Sequence, residues 1–204
     1  IAKISGVKGI ILHKGIVEKY IYNLKVPLIL KLNGKTNLFK GEPISRQICS
    51  VERAKELGAV GVGYTIYLGS EYEREMLMEF GRIQEEAHKK GLFVIAWMYP
   101  RGKSIKKVTP PLVEYAARVG LEIGADFVKI PFTNKEHFKR VVKVAGKCKV
   151  LALGGEKKEL KQFLREVKEI KEAGACGLAV GRNVWQNDEP LKVVSEIKRI
   201  LEIS

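Results

Sequence analysis

A chain of 204 residues with 46% hydrophobic and 29% charged side chains has the balance of one soluble globular domain, residues 1–204, and excludes disordered or fibrous polymers. No apolar stretch approaches the length of a membrane span, and residues 1–6 lack the long apolar core of a signal peptide, so a cytoplasmic location is expected. The formal charge of +14 suits anionic partners, but lysines alternate with glutamates, as in Lys157-Lys158-Glu159 and Lys168-Glu169-Ile170-Lys171-Glu172; that pattern belongs to solvated helix faces, and phosphorylated small molecules are expected rather than nucleic acid.

Along the chain one phrase recurs: an amphipathic helical stretch, a glycine with a small or polar neighbour, then an apolar strand. It occurs at Gly58-Ala59, Gly91-Leu92, Gly124-Ala125 and Gly174-Ala175, and more loosely at Gly146-Lys147. Glycine is favoured where a helix ends in a left-handed conformation, so each phrase reads as a helix-to-strand joint. The spacing predicts strands near residues 8–13, 26–33, 60–66, 93–99, 126–132, 149–153 and 177–181. Helices are expected over 50–58, 71–90, 110–123, 135–145, 157–173 and 189–202. Apolar strands alternating with amphipathic helices predict an α/β fold with a parallel sheet.

Polar chemistry gathers just past the strand ends, in chain order His13-Lys14-Gly15, Asn33-Gly34-Lys35, Tyr99-Pro100-Arg101-Gly102, Lys129, Gly154-Gly155 and Gly181-Arg182-Asn183. In a (β/α)8 TIM barrel all such ends open on one face, whereas an open doubly wound sheet concentrates them at one switch point, so the barrel is preferred. Seven strands are read where a closed barrel has eight. Because the chain also begins with Ile rather than Met, the expectation is that the first strand–helix unit is missing.

Lysines interrupt two of these strands. Lys129 lies in Ala125-Asp126-Phe127-Val128-Lys129-Ile130-Pro131-Phe132, and Lys31 lies in Leu28-Ile29-Leu30-Lys31-Leu32. Burial disfavours an ammonium and so supplies the neutral amine that attacks a carbonyl, although a long lysine at a strand end also snorkels to water. Alternation puts Trp97 and Tyr99 on one face of the strand before Lys129. Gly154-Gly155 and Gly181-Arg182, after the last two strands, suit a phosphate cradle. An amine nucleophile, a phenol for proton transfer and a phosphate clamp together fit carbon–carbon chemistry through an imine. Cys49, Cys148 and Cys176 are dispersed, as are His13, His88 and His137, so no metal site is read.

Taken in order, Trp97-Met98-Tyr99-Pro100-Arg101-Gly102, the Lys129 strand, Gly154-Gly155 and Ala179-Val180-Gly181-Arg182-Asn183-Val184-Trp185-Gln186 resemble the archaeal-type class I fructose-1,6-bisphosphate aldolases. His13-Lys14-Gly15-Ile16 and Gly69-Ser70-Glu71 add to a likeness that spans nearly the whole chain. The resemblance implies a Schiff-base (β/α)8 aldolase that assembles as pentamers or pairs of pentamers. In it Lys129 would form the imine with dihydroxyacetone phosphate or fructose bisphosphate, and Tyr99 would be the acid/base. Trp97 would shape the pocket, Gly154, Gly155, Gly181 and Arg182 would hold the phosphate next to the imine carbon, and Arg101 would face the distal phosphate. No metal or cofactor is implied, because the imine is the electron sink.

One feature departs from the family, which carries Asp-His-Gly at the end of its first strand. The only aspartates here are Asp126 and Asp188, neither in such a context, which fits the missing first unit. Two alternatives stay open: 2-amino-3,7-dideoxy-D-threo-hept-6-ulosonate synthase, a relative using the same lysine, and a non-catalytic phosphate- or nucleic-acid-binding barrel.

Overall fold

The structure, a computed structural model, describes residues 7–21, 24–36, 38 and 40–202; residues 1–6, read above for a leader, lie outside them. Seven parallel strands form one sheet: β1 (Ile10–Leu12), β2 (Leu28–Lys31), β5 (Gly61–Leu68), β6 (Phe93–Pro100), β7 (Phe127–Ile130), β8 (Lys149–Leu153) and β9 (Gly177–Ala179). They lie side by side in chain order. All seven fall where the sequence predicts strands. Between β2 and β5, β3 (Asn33–Gly34) and β4 (Arg46–Gln47) add a short antiparallel ribbon.

Helices cover the outer face: α2 (Val51–Glu56), α3 (Glu73–Lys89), α4 (Pro110–Glu122), α5 (Lys135–Ala145), α6 (Leu160–Glu172) and α8 (Pro190–Leu201) correspond to the six expected. Their starts are written locally. The Ser50, Asn134 and Glu159 side chains accept from the backbone N–H groups of Arg53, His137 and Gln162, while Pro110 and Pro190 open helices where no N–H is needed. At the joints Gly58, Gly91, Gly124 and Gly174 have φ of 76°, 69°, 81° and 84°, the left-handed region that a side chain resists. Among the described residues no helix is long and apolar enough to cross a membrane.

Two short helices differ from the expected loops. His13 caps α1 (Lys14–Tyr20), and Gly181 precedes the single turn α7 (Arg182–Trp185). Both strand ends therefore run directly into helix.

Apolar packing separates two sides of the sheet. Tyr64, Ile66, Met76, Phe80, Met98 and Val128 belong to the large core under the helices. On the inner side Ile29 of β2, Ile95 and Trp97 of β6, and the partly buried Ile11, Phe127 and Leu151 form a separate cluster. Side chains from β1 to β8 share that cluster, so the sheet curls around its own interior, as a barrel wall does. Among the described residues β1 and β9 form its two edges and do not pair with each other.

Candidate active site

The C-terminal ends of β6 to β9 surround an open cleft of about 470 Å³ lined by Tyr99, Arg101, Lys129, Gly154, Gly155, Gly181, Arg182 and Trp185, with Pro100, Pro131, Leu153 and Ala179 between them. Its volume is that of a small-molecule site. Seven of the eight site residues picked from the sequence thus meet in one place. The eighth, Trp97, lies beneath: it pairs with Lys129 in the β6–β7 ladder, and the Lys129 Nζ is 5.0 Å from the centre of its indole.

The position of Trp97 has a cause on β5. A Cβ built on Gly63 would overlap the six-membered part of the indole, so the ring occupies the space that a side chain there would fill. Gly63→Ala is expected to push Trp97 off its place beside Lys129 and destabilise the fold by about 1–3 kcal/mol, the cost of overfilling a packed interior. Thermal unfolding of the variant, followed by tryptophan fluorescence, measures both effects.

Burial holds the Lys129 ammonium down to about 8, because the charged form loses hydration. No hydrogen bond to its Nζ occurs among the described residues. At pH 7 about a tenth of such an amine is unprotonated, against less than a thousandth for an ordinary lysine. Imine formation is accordingly expected to gain about tenfold per pH unit up to roughly pH 8 and then level off. Borohydride trapping rates measured between pH 6 and 10 give this limb directly.

Lys31 is placed differently. Its Nζ donates to the Asn33 carbonyl at 3.0 Å and to the Asn33 amide oxygen, and it too is 5.0 Å from the Trp97 ring centre. Burial first, and then repulsion from Lys129, lowers its pKa well below that of an ordinary lysine. Asn33 is fully buried and held by Ser45 and Thr65: its amide nitrogen donates to the Ser45 and Thr65 carbonyls at 2.8 and 2.9 Å, and its oxygen accepts from the Thr65 N–H at 2.8 Å. Lys31 does not line the cleft. His13, at the end of β1, is lowered by its own burial and then by Lys31. No described aspartate or glutamate is buried; Asp126 accepts from the Val94 N–H and pairs with His88 at the opposite end of the strands, and Asp188 is exposed.

Tyr99 keeps its proton well above the usual phenol range, chiefly through burial and then through its neighbour Tyr67. Pro100 closes the strand, and the Arg101 N–H donates to the Leu68 carbonyl at 2.9 Å. The exposed Arg101 side chain has no ion-pair partner among the described residues. The Gly102 of the same turn is dictated by close approach, since a Cβ there would strike the backbone of Gly69 and Ser70.

Across the cleft, Gly155 has a φ of 66°, and the backbone N–H groups of Gly155 and Arg182 find no acceptor among the described residues. The Arg182 guanidinium donates to the Gly155 carbonyl at 3.2 Å. Asn183, which sequence reasoning left among the strand-end residues without a role, is the organiser. It is buried, donates to the Gly154 and Glu156 carbonyls at 2.6 and 2.8 Å, and accepts from the Lys158 N–H at 2.8 Å. This amide locks the two glycine loops together. A lone asparagine beside Gly181-Arg182 was the available signal.

Similarity to known proteins agrees with this geometry. Residues 1–187 match the DeoC/LacD family aldolase. The chain is 48% identical over 204 residues to fructose-bisphosphate aldolase class 1 of Thermoproteus tenax, covering 98% of this chain and 77% of that protein. It is 34% identical to 2-amino-3,7-dideoxy-D-threo-hept-6-ulosonate synthase 1 of Archaeoglobus fulgidus, over 96% of this chain and 74% of the other. Among solved structures, an archaeal fructose-1,6-bisphosphate aldolase with its catalytic Lys covalently bound to the carbinolamine intermediate superposes with a TM-score of 0.91 at 49% identity, covering 95% of this chain and 78% of the other.

Proposed function

The chain belongs to the DeoC/LacD family of aldolases, and from that premise we propose a class I, Schiff-base fructose-1,6-bisphosphate aldolase whose imine forms on Lys129. The observation that carries the assignment of the lysine is an amine with its pKa held down to about 8 and no hydrogen-bonding partner among the described residues, at a cleft ringed by a phenol and two glycine loops. In the cleavage direction the Lys129 amine attacks the C2 carbonyl of fructose bisphosphate, giving a carbinolamine that loses water to an iminium. The C4 hydroxyl then loses its proton, the C3–C4 bond breaks, and its electron pair flows into the iminium to give an enamine and glyceraldehyde 3-phosphate. Protonation of the enamine at C3 and hydrolysis release dihydroxyacetone phosphate and the free lysine.

Tyr99, on the strand next to Lys129, is the group assigned to these proton movements: its phenol, protonated at neutral pH, gives its proton to the enamine at C3, and the phenolate left behind takes the C4 hydroxyl proton of the next substrate. Gly154, Gly155, Gly181 and Arg182 take the phosphate next to C2, through the N–H groups of Gly155 and Arg182, which have no acceptor among the described residues, and a guanidinium already turned onto the loop. Arg101, exposed on the opposite side with no ion pair among the described residues, takes the distal phosphate. Trp97 acts from below, fixing the lysine rather than walling the substrate chain. The imine is the electron sink, so the reaction calls on no metal or organic cofactor. The reading extends to a cytoplasmic homo-oligomer, a pentamer or a pair of pentamers, in glycolysis and gluconeogenesis; native mass spectrometry measures the assembly.

The test is incubation with fructose 1,6-bisphosphate while following triose phosphates, together with borohydride reduction in the presence of dihydroxyacetone phosphate. Cleavage and label on Lys129 are expected. Label on Lys129 without cleavage moves the assignment to the transaldol chemistry of the ulosonate synthase, and no label at all leaves a phosphate-binding barrel.

A further inference from the structure

Strand β5 carries two tyrosines whose hydroxyls are treated in opposite ways. Tyr64 faces the helices, fully buried, and its hydroxyl is satisfied by the Glu79 carboxylate and the Ser45 carbonyl. Three residues on, Tyr67 alternates to the same face of β5 as Thr65, packs at the strand's end with the edge of the large core, and stands directly beside Tyr99 in the β5–β6 ladder. Only 8% of Tyr67 is exposed, yet its hydroxyl has no hydrogen-bonding partner among the described residues. A phenylalanine would fill the same volume without leaving a polar atom unpaired. The oxygen is not among the sealed, unsatisfied atoms, so it remains within reach of water or of another group at the mouth.

Its surroundings identify that group. The Tyr67 and Tyr99 ring centres are 6.2 Å apart at 45°. Arg101, fixed by its N–H to the carbonyl of Leu68, draws the Tyr67 phenol back toward ionisation against the stronger effect of burial, and Tyr67 in turn is the neighbour felt at Tyr99. Tyr67 does not line the cleft, whereas Tyr99 does. Among the described residues Arg101 is the charged group felt at Tyr67, and Lys129 lines the same cleft as Tyr99; no acidic residue occurs on any of the seven strands.

We infer that Tyr67 is a positioning residue that acts through Tyr99, its hydroxyl supporting the oxygen of Tyr99, directly or through one water, when that phenol gives up its proton. Burial makes a phenolate costly, and a neighbouring O–H donor, backed by a guanidinium, lowers that cost at the moment of transfer. The proton passes from Tyr99 to the enamine carbon C3; the phenolate left behind accepts from the Tyr67 O–H and recovers its proton when the next substrate is deprotonated. Tyr67 itself exchanges nothing with substrate.

The inference rests on the acid/base role proposed for Tyr99, and the test separates the two. In Tyr67→Phe, exchange of the C3 proton of dihydroxyacetone phosphate with solvent, followed by NMR in heavy water, is expected to fall about 10- to 100-fold, the worth of one hydrogen bond to a charged oxygen. Borohydride trapping on Lys129 should stay within twofold of wild type, and for fructose bisphosphate cleavage kcat should fall with KM unchanged. Added to Tyr99→Phe, the substitution should cost nothing further. Unchanged exchange, an equal loss of trapping, a raised KM, or an additive loss in the double variant each overturns the inference. If instead Tyr99→Phe itself exchanges normally, the acid/base assignment of Tyr99 fails first.

Discussion

Lys129→Ala is expected to remove turnover, by on the order of 10⁵–10⁶-fold, the size of loss seen when a covalent nucleophile is deleted, and with it all borohydride-dependent label. The fold should survive. Lys129 makes no hydrogen bond among the described residues, so its removal leaves no orphaned partner, and the depressed pKa shows that its charged form is disfavoured by folding. By linkage, the folded state binds fewer protons at this site than the unfolded chain between about pH 8 and the ordinary lysine range, so in wild type stability rises with pH across that window. Alanine abolishes this slope, and a melting temperature equal to or above that of wild type at pH 7 is the expected readout. Lys31→Ala is the control: Asn33 retains its bonds to Ser45 and Thr65, so Lys129 should still label. Peptide mapping that found the label on Lys31 would transfer the nucleophile to β2.

Why the fold was legible while parts of the site were not follows from the range of each signal. Strand and helix order is written in local phrases: apolar runs, caps such as Asn134 before α5, and the glycines of the joints, each acting within a few residues. The coincidence of Lys129, Tyr99 and the two glycine loops was legible too, because parallel strands bring all C-terminal ends to one face whatever lies between. The rest depends on distant partners. The β3–β4 ribbon is tied down by one asparagine reaching 12 and 32 residues along the chain to Ser45 and Thr65, and two-residue strands carry no periodicity. α1 and α7 span only seven and four residues, too short for a helical pattern, and their Gly15 and Gly181 imitate turns. Trp97 reads as a pocket wall until Gly63, on another strand, gives its indole room to lie below the cleft. Tyr67 draws no reading from the sequence, because nothing local distinguishes a satisfied phenol from an unsatisfied one.

The second large effect is expected at Tyr99. Tyr99→Phe keeps the ring that packs against Tyr67 and the inner cluster and removes a hydroxyl that bonds to no protein group among the described residues, so stability should change little. Turnover should fall by about 10²–10⁴, the usual worth of a positioned acid/base. The loss belongs to one stage. Attack of Lys129 on the carbonyl needs a free amine rather than this phenol, so the variant should still be reduced by borohydride onto Lys129 with dihydroxyacetone phosphate. Beyond the imine, carbon must lose or gain a proton, and the described alternatives are poor: Arg101 stays charged and has no lone pair to offer, and Lys129 is itself tied up in the imine. Imine should therefore accumulate while C3 exchange and cleavage both slow. Raising the pH should not rescue the variant, because the missing function is a proton donor rather than an unprotonated amine. Normal cleavage by Tyr99→Phe would reduce the phenol to packing and send the search for the acid to a group reached through water.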